Sequence, residues 1–124
     1  KTIQNNDILI LGISYKPDVK DIQLTPAKHI IEKLQKLGAN VHIYDPYFSS
    51  GQVFDINVEE NLDDIISKVD ASIIVTGHKE FKKIEPSFFN QMKGSILIDT
   101  RGIIDPEDAK KAKLIFRGLG RGKL

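Results

Sequence analysis

The feature that most narrows the folds open to this chain is the alternation of short apolar runs with stretches of helical spacing. "ILIL" (Ile8 to Leu11) is continuously apolar. A strand buried on both faces needs such a run, whereas a strand with one wet face would alternate. Thr25-Pro26 has the form of an N-cap followed by the first helical residue. Ala27, Ile30, Ile31, Leu34 and Leu37 then recur at helical spacing up to Gly38, a natural C-terminal stop. The same signals repeat downstream. "NVHIYDP" (40–46), "ASIIVTG" (71–77), "SILIDTRG" (95–102) and "KLIFRGLG" (113–120) read as further strands. Between them, Asn57 with Glu60 has the spacing of a capping box for a helix carrying Leu62, Ile65, Ile66 and Val69. Pro86 opens a short helix with Phe89 and Met92. Asp105-Pro106 starts another, with Glu107 and Asp108 in its positive first turn. Residues 47–55 read as a loop or a short edge strand. Strand–helix alternation predicts an α/β domain. Right-handed crossovers then predict a doubly wound, mostly parallel Rossmann-like sheet of five or six strands with helices on both faces.

A length of 124 residues suits one domain, 1–124, with a sizeable core. The net charge of +1 gives no electrostatic pull toward nucleic acid or a membrane surface. The longest apolar run is too short to cross a bilayer. "KTIQNND" lacks the apolar core of a signal peptide, so a cytoplasmic location is expected. The chain has no cysteine, which removes disulfides, thiolate nucleophiles and cysteine metal sites together. His29, His42 and His78 fall in different elements without ligand spacing, so no metal is expected. The single methionine is Met92 rather than an initiator, and a piece of a longer protein is the expectation.

Doubly wound sheets bind ligands outside the carboxyl ends of their strands, where strand order reverses. The polar residues in that position are Tyr15, Lys16, Asp18 and Asp21 after the first strand and Asp45 after the second. Thr76 and His78 follow the third, and Asp99, Thr100 and Arg101 close the fourth. If the first, third and fourth strands are neighbours, Lys16, His78 and Arg101 share one rim. A lysine point charge beside a two-pronged arginine suits a phosphate or diphosphate. Blander roles are also open. Lys16 and Arg101 could be solvated loop charges. Asp18 and Asp21 could organise a turn through backbone hydrogen bonds. Asp45 could be the acid of an Asp-Pro turn, and His78 a polar loop residue. Gly12 stands alone, and no G-x-G-x-x-G follows the first strand, which argues against ordinary dinucleotide binding. A phosphoacceptor receiver domain would need an aspartate after the third strand, where Thr76-Gly77 stand.

Four blocks, in order and spacing, carry a resemblance: "GISYKPDVKDIQLTPA", "GANVHIYDPY", "SIIVTGHKEF" and "ILIDTRGII". Together they resemble the C-terminal, UDP-binding domain of the UDP-glucose/GDP-mannose dehydrogenase family, from about Asp7 to Gly120. "TGHKEF", with histidine where many UDP-glucose enzymes have tryptophan, is more similar to the UDP-N-acetyl-D-mannosamine dehydrogenase branch. The resemblance implies a parent in three parts: an N-terminal Rossmann domain that holds NAD, a central region that makes a homodimer, and this domain closing over a UDP-sugar. It implies oxidation of the sugar C6 alcohol to a carboxylate, as in making a UDP-uronic acid for polysaccharide synthesis, in two NAD-dependent steps through a cysteine thioester. A thioester needs a thiolate, so a chain without cysteine is expected to be inactive by itself. By resemblance, Tyr15, Lys16 and Arg101 contact the UDP-sugar; Asp18, Asp21 and His78, from their places after the strands, are candidate supporting residues. Gln23 stands where many members have an arginine that reaches NAD, which puts that contact in doubt. The missing cysteine and Gln23 together leave a second expectation, a non-catalytic interaction or regulatory module. A third, a lone NAD-binding domain, is disfavoured by the solitary Gly12.

Overall fold

A computed structural model of the chain describes residues 3–20, 22, 25–48 and 51–118. Strands β1 (Asp7–Leu11), β2 (Asn40–Tyr44), β5 (Ala71–Ile74), β6 (Ile96–Asp99) and β7 (Ile115–Gly118) form one sheet in the order β2-β1-β5-β6-β7. Every pairing in it is parallel. The chain therefore runs one way from β1 to β2 and the other way from β1 to β5. The reversal falls between β1 and β5, the middle strand of the five.

The period-2 alternation of a strand sends neighbouring side chains to opposite faces, and both faces of β1 are apolar. Ile8 and Ile10 enter one core, with Ile43 and Ile73 from neighbouring strands. Helix α1 (Pro26–Lys36) covers that face with Ala27 and Ile31. Leu9 and Leu11 enter the opposite core with Ile74 and Leu97. Helices α2 (Leu62–Ile66), α3 (Lys79–Lys82) and α4 (Pro106–Lys111) cover it with Ile65, Ile66, Phe81 and Ala109. Phe89, from a 3-10 turn at Pro86–Gln91, joins them. Helices thus flank both faces, as the continuous apolar run in β1 requires.

Helix starts follow local capping chemistry. Thr25 Oγ1 accepts the Ala27 N–H at 3.2 Å, with Pro26 next in line. Asp105 Oδ1 accepts the Glu107 N–H at 2.8 Å ahead of Pro106. The capping box expected at Asn57 is not formed. Asn57 instead pairs with Gln52 in a hairpin of β3 (Gln52–Val53) and β4 (Ile56–Asn57). The helix that follows starts later, at Asn61, whose Oδ1 accepts the Asp63 N–H at 2.9 Å. The hairpin turns through Phe54 and Asp55 at φ +53° and +64°, a two-residue turn that matches strand twist. It lies along β2, where Ile43 bridges Val58. The segment read as loop or edge strand thus holds one short strand, β3, whose partner β4 follows directly after it. Of the last predicted strand, 119–120 lie outside the described residues.

Candidate functional site

The carboxyl ends of β1, β5 and β6 come together at one edge of the sheet. The β1 and β5 ends touch. Gly12 has φ +92°, and a Cβ there would lie 2.5 Å from the Thr76 Cβ and 2.7 Å from its Oγ1. Thr76 Oγ1 donates to the Ser14 carbonyl at 2.7 Å. The glycine that follows β1 thus serves a close chain approach, with the buried Thr76 packed against it where strand order reverses.

The β6 end is built around Asp99, which is fully buried. Its Oδ1 accepts the Arg101 and Gly102 N–H groups, each at 2.9 Å, and its Oδ2 accepts the Ile104 N–H at 2.8 Å. Thr100 Oγ1 donates to the Ile74 carbonyl at 2.7 Å. The "DTRG" run is therefore a rigid turn whose outward product is Arg101. Arg101 Nε donates to the Val75 carbonyl at 2.7 Å, which fixes the guanidinium against β5. Among the described residues, its terminal nitrogens have no partner.

Two hollows adjoin that guanidinium. The larger, of ≈ 570 Å³, is lined by Tyr15, Thr25, Pro26, His29 and Arg101 among others. The smaller, of ≈ 270 Å³, is lined by Tyr15, Thr76, Gly77, Lys82, Arg101 and Ile103 among others. Tyr15 and Arg101 stand in both, so the two hollows form the sides of one shared wall. Tyr15 is 47% exposed, and its ring is free to meet a ligand. A further hollow runs along the outer face of α1, and its lining among the described residues comes from that helix.

The expected rim of Lys16, His78 and Arg101 is realised only in part. Arg101 is on it. Lys16 is exposed in the loop after β1 and lines neither of the two hollows beside Arg101. The lysines that line the hollows with Arg101 are Lys28 of α1 in the larger and Lys82 of α3 in the smaller. Sequence reasoning missed Lys82 because a four-residue helix leaves no periodicity to read. His78 is wholly buried rather than on the rim. Its Nε2 lies 2.9 Å from Asp45 Oδ2, and its Nδ1 lies 2.8 Å from the Asp18 N–H. Asp45 is buried as well. Its Oδ2 also accepts the Ile13 N–H at 2.8 Å, and its Oδ1 accepts the Tyr47 N–H at 2.8 Å. The Asp-Pro turn reading of Asp45 therefore holds, with a buried bond to histidine added. Asp18 organises its loop, its Oδ1 accepting the Lys79 N–H at 2.7 Å. Tyr47 packs its ring 4.7 Å from that of His78 and donates its hydroxyl to Glu80 at 3.0 Å. Partial burial first, then the Glu80 carboxylate, push its phenol up to about 12. Asp21 and Gln23 lie outside the described residues.

No group of three or more His, Cys, Asp or Glu able to hold a metal occurs among the described residues. No helix among them is long and apolar enough to cross a membrane.

Comparison with known proteins is consistent with this geometry. Residues 9–106 match the UDP binding domain of the UDP-glucose/GDP-mannose dehydrogenase family. A UDP-N-acetyl-D-mannosamine dehydrogenase of Methanococcus maripaludis is 33% identical, over 97% of this chain and 28% of its own length. The UDP-glucose 6-dehydrogenase TuaD of Bacillus subtilis is 30% identical, over 97% of this chain and 27% of its own. Among solved structures, the UDP-D-ManNAc dehydrogenase of Pyrococcus horikoshii matches with a TM-score of 0.81 at 30% identity, over 99% of this chain and 27% of that one. The chain thus spans little more than a quarter of the length of these relatives.

Proposed function

The chain belongs to the UDP-glucose/GDP-mannose dehydrogenase family, and from that premise we propose that it binds the nucleotide of a UDP-sugar against the wall formed by Tyr15 and Arg101. One observation carries the reading. Arg101 is locked by its Nε to the Val75 carbonyl at 2.7 Å, and its terminal nitrogens have no partner among the described residues. A guanidinium held rigid by one nitrogen loses little further entropy when its remaining donors bind a diphosphate. Lys82 adds a point charge in the smaller hollow, and Tyr15 offers an aromatic face. In this reading Lys16, exposed beside Tyr15 in the same loop, adds positive charge at the margin of the site.

In this proposal the chain is one part of a longer NAD-dependent UDP-sugar 6-dehydrogenase that oxidises a sugar C6 alcohol to a carboxylate. The remaining domains are its partners, and the whole works as a homodimer in the cytoplasm. The names of the relatives favour a UDP-N-acetylhexosamine or UDP-glucose as substrate. NAD is held mainly by another domain in this reading: no G-x-G-x-x-G follows β1, and Gly12 serves a close approach to Thr76 rather than a phosphate-binding turn.

Calorimetry with UDP, and with uridine as the uncharged control, tests the proposal on this chain. UDP is expected to bind and uridine to bind far more weakly. Arg101→Ala is expected to weaken UDP binding by about 1.5–3 kcal/mol, the range for hydrogen bonds to charged groups, and Lys16→Ala by a comparable amount. Equal affinity for UDP in both variants and the parent chain would refute the assignment.

A further inference from the structure

The loop from Tyr15 to Lys20 carries the aromatic and the lysine of the proposed site, yet every residue in it is exposed. Burial does not hold it in place. Hydrogen bonds do. Ser14 Oγ donates to the Val19 carbonyl at 2.6 Å and closes the base of the loop. At its tip, Asp18 adopts φ +64°, a conformation uncommon outside glycine. Two bonds hold it there. The Asp18 carboxylate accepts the Lys79 N–H at 2.7 Å, and the Asp18 N–H donates to His78 Nδ1 at 2.8 Å.

The second bond constrains His78 chemically. A backbone N–H can only donate, so Nδ1 must carry a lone pair and the ring proton must sit on Nε2. Asp45 Oδ2, 2.9 Å away, accepts that proton. The tautomer of a histidine is set by the bond its other nitrogen makes, and here Asp45 sets it. Asp45 is itself immobilised by the Ile13 and Tyr47 N–H groups. The rings of Tyr47 and Phe81, at 4.7 and 5.5 Å, fix the orientation of the imidazole. Everything about His78 thus directs one lone pair at one amide of an exposed loop.

We propose that His78 is a positioning residue: oriented by Asp45, it sets the conformation of the Tyr15–Lys20 loop through its Nδ1 lone pair and so aims Tyr15 and Lys16 at the nucleotide. The link to the nucleotide rests on the function proposed above. The action on the loop stands by itself.

The two amides that mimic halves of a histidine separate this role from mere packing. In His78→Asn the side-chain oxygen takes the place of Nδ1 and keeps an acceptor for Asp18. In His78→Gln the longer amide reaches Asp45, and the Asp18 N–H loses its partner. Both variants lose the ring, so both lose its packing. Amide hydrogen exchange is read at Asp18 and, as an internal reference for global opening, at Ile10 of the buried strand β1. Relative to Ile10, exchange at Asp18 is expected to speed up roughly 10-fold or more in His78→Gln and to stay near the parent rate in His78→Asn. Calorimetry with UDP is expected to show affinity falling several-fold in His78→Gln and recovering in His78→Asn. Long-range proton–nitrogen correlation on the unmutated chain is expected to show the proton on Nε2.

A proton on Nδ1, or equal Asp18-to-Ile10 exchange ratios in the two variants, would overturn the action on the loop. A faster Asp18 amide with unchanged UDP affinity would overturn its link to the site. Failure of the unmutated chain to bind UDP would instead remove the nucleotide reading, while the exchange ratio still decides the loop. Should either variant fail to fold, the tautomer in the unmutated chain still supports the proposal or overturns it.

Discussion

Replacing Gly12 by alanine separates two accounts of the glycine that follows β1. In a nucleotide cradle, the glycine would make room for a phosphate, and alanine would cost ligand affinity. Here Gly12 makes room for Thr76, and alanine should cost stability. The new Cβ would lie 2.5 Å from the Thr76 Cβ, 2.7 Å from its Oγ1 and 2.8 Å from its backbone nitrogen. Overpacking of this kind costs about 1–3 kcal/mol. The backbone at φ +92° adds about 1–3 kcal/mol for a residue with a Cβ. Loss of glycine freedom in the unfolded chain returns about 0.4–1 kcal/mol. The net expectation is a loss of about 3 kcal/mol. Urea unfolding reads it as a lower midpoint with an unchanged slope. Thr76→Gly removes two of the three crowding atoms, so the double variant should lose about 1–2 kcal/mol less than the two single losses combined. A loss under about 0.5 kcal/mol, strict additivity, or a drop in nucleotide affinity at full stability would each refute the steric account.

Asp99→Ala leaves three backbone N–H groups without their acceptor, so a stability loss of about 3 kcal/mol or more is expected in urea unfolding. The same variant frees the Arg101 turn, and UDP affinity measured by calorimetry should fall with it. At the opposite end of the sheet, a hydrogen bond from His42 at 3.0 Å, with help from Lys93, holds the Asp7 carboxyl below its usual range. The stability this gives is present above the unfolded aspartate's pKa and is lost as pH falls through the lower folded value. The stability gap between the chain and Asp7→Asn should therefore be full near neutrality and close in acid below about pH 4, as read by urea unfolding across pH. A gap that widens in acid would contradict the pairing. In a spectrophotometric titration, Tyr47→Phe should remove the phenol whose ionisation is pushed up to about 12.

The architecture was legible because its cause lies in single strands. Four consecutive apolar residues in β1 require cover on both faces, and α1 on one side with α2, α3 and α4 on the other supply it. Caps with their own side-chain chemistry, Thr25-Pro26 and Asp105-Pro106, were equally readable. Asn57 misled because the capping pattern it matches was overridden by strand pairing to Gln52, a contact that nothing local announces. The Phe54-Asp55 turn was hidden because phenylalanine is no signal for a positive φ. At the site, Arg101 could be placed from its strand end. The burial of His78 and Asp45 could not, because it depends on bonds between loops 33 and 60 residues apart in the chain. Lys82 reaches the smaller hollow from a helix too short to have a period.

The most direct test of the whole account is a titration of UDP into the isotope-labelled chain, followed amide by amide. The account predicts saturable shifts concentrated at Tyr15, Gly77, Arg101 and Ile103, around the two hollows, and their loss in Arg101→Ala. Shifts clustered along the outer face of α1 or around the β3–β4 hairpin, or none at all at millimolar UDP, would contradict it.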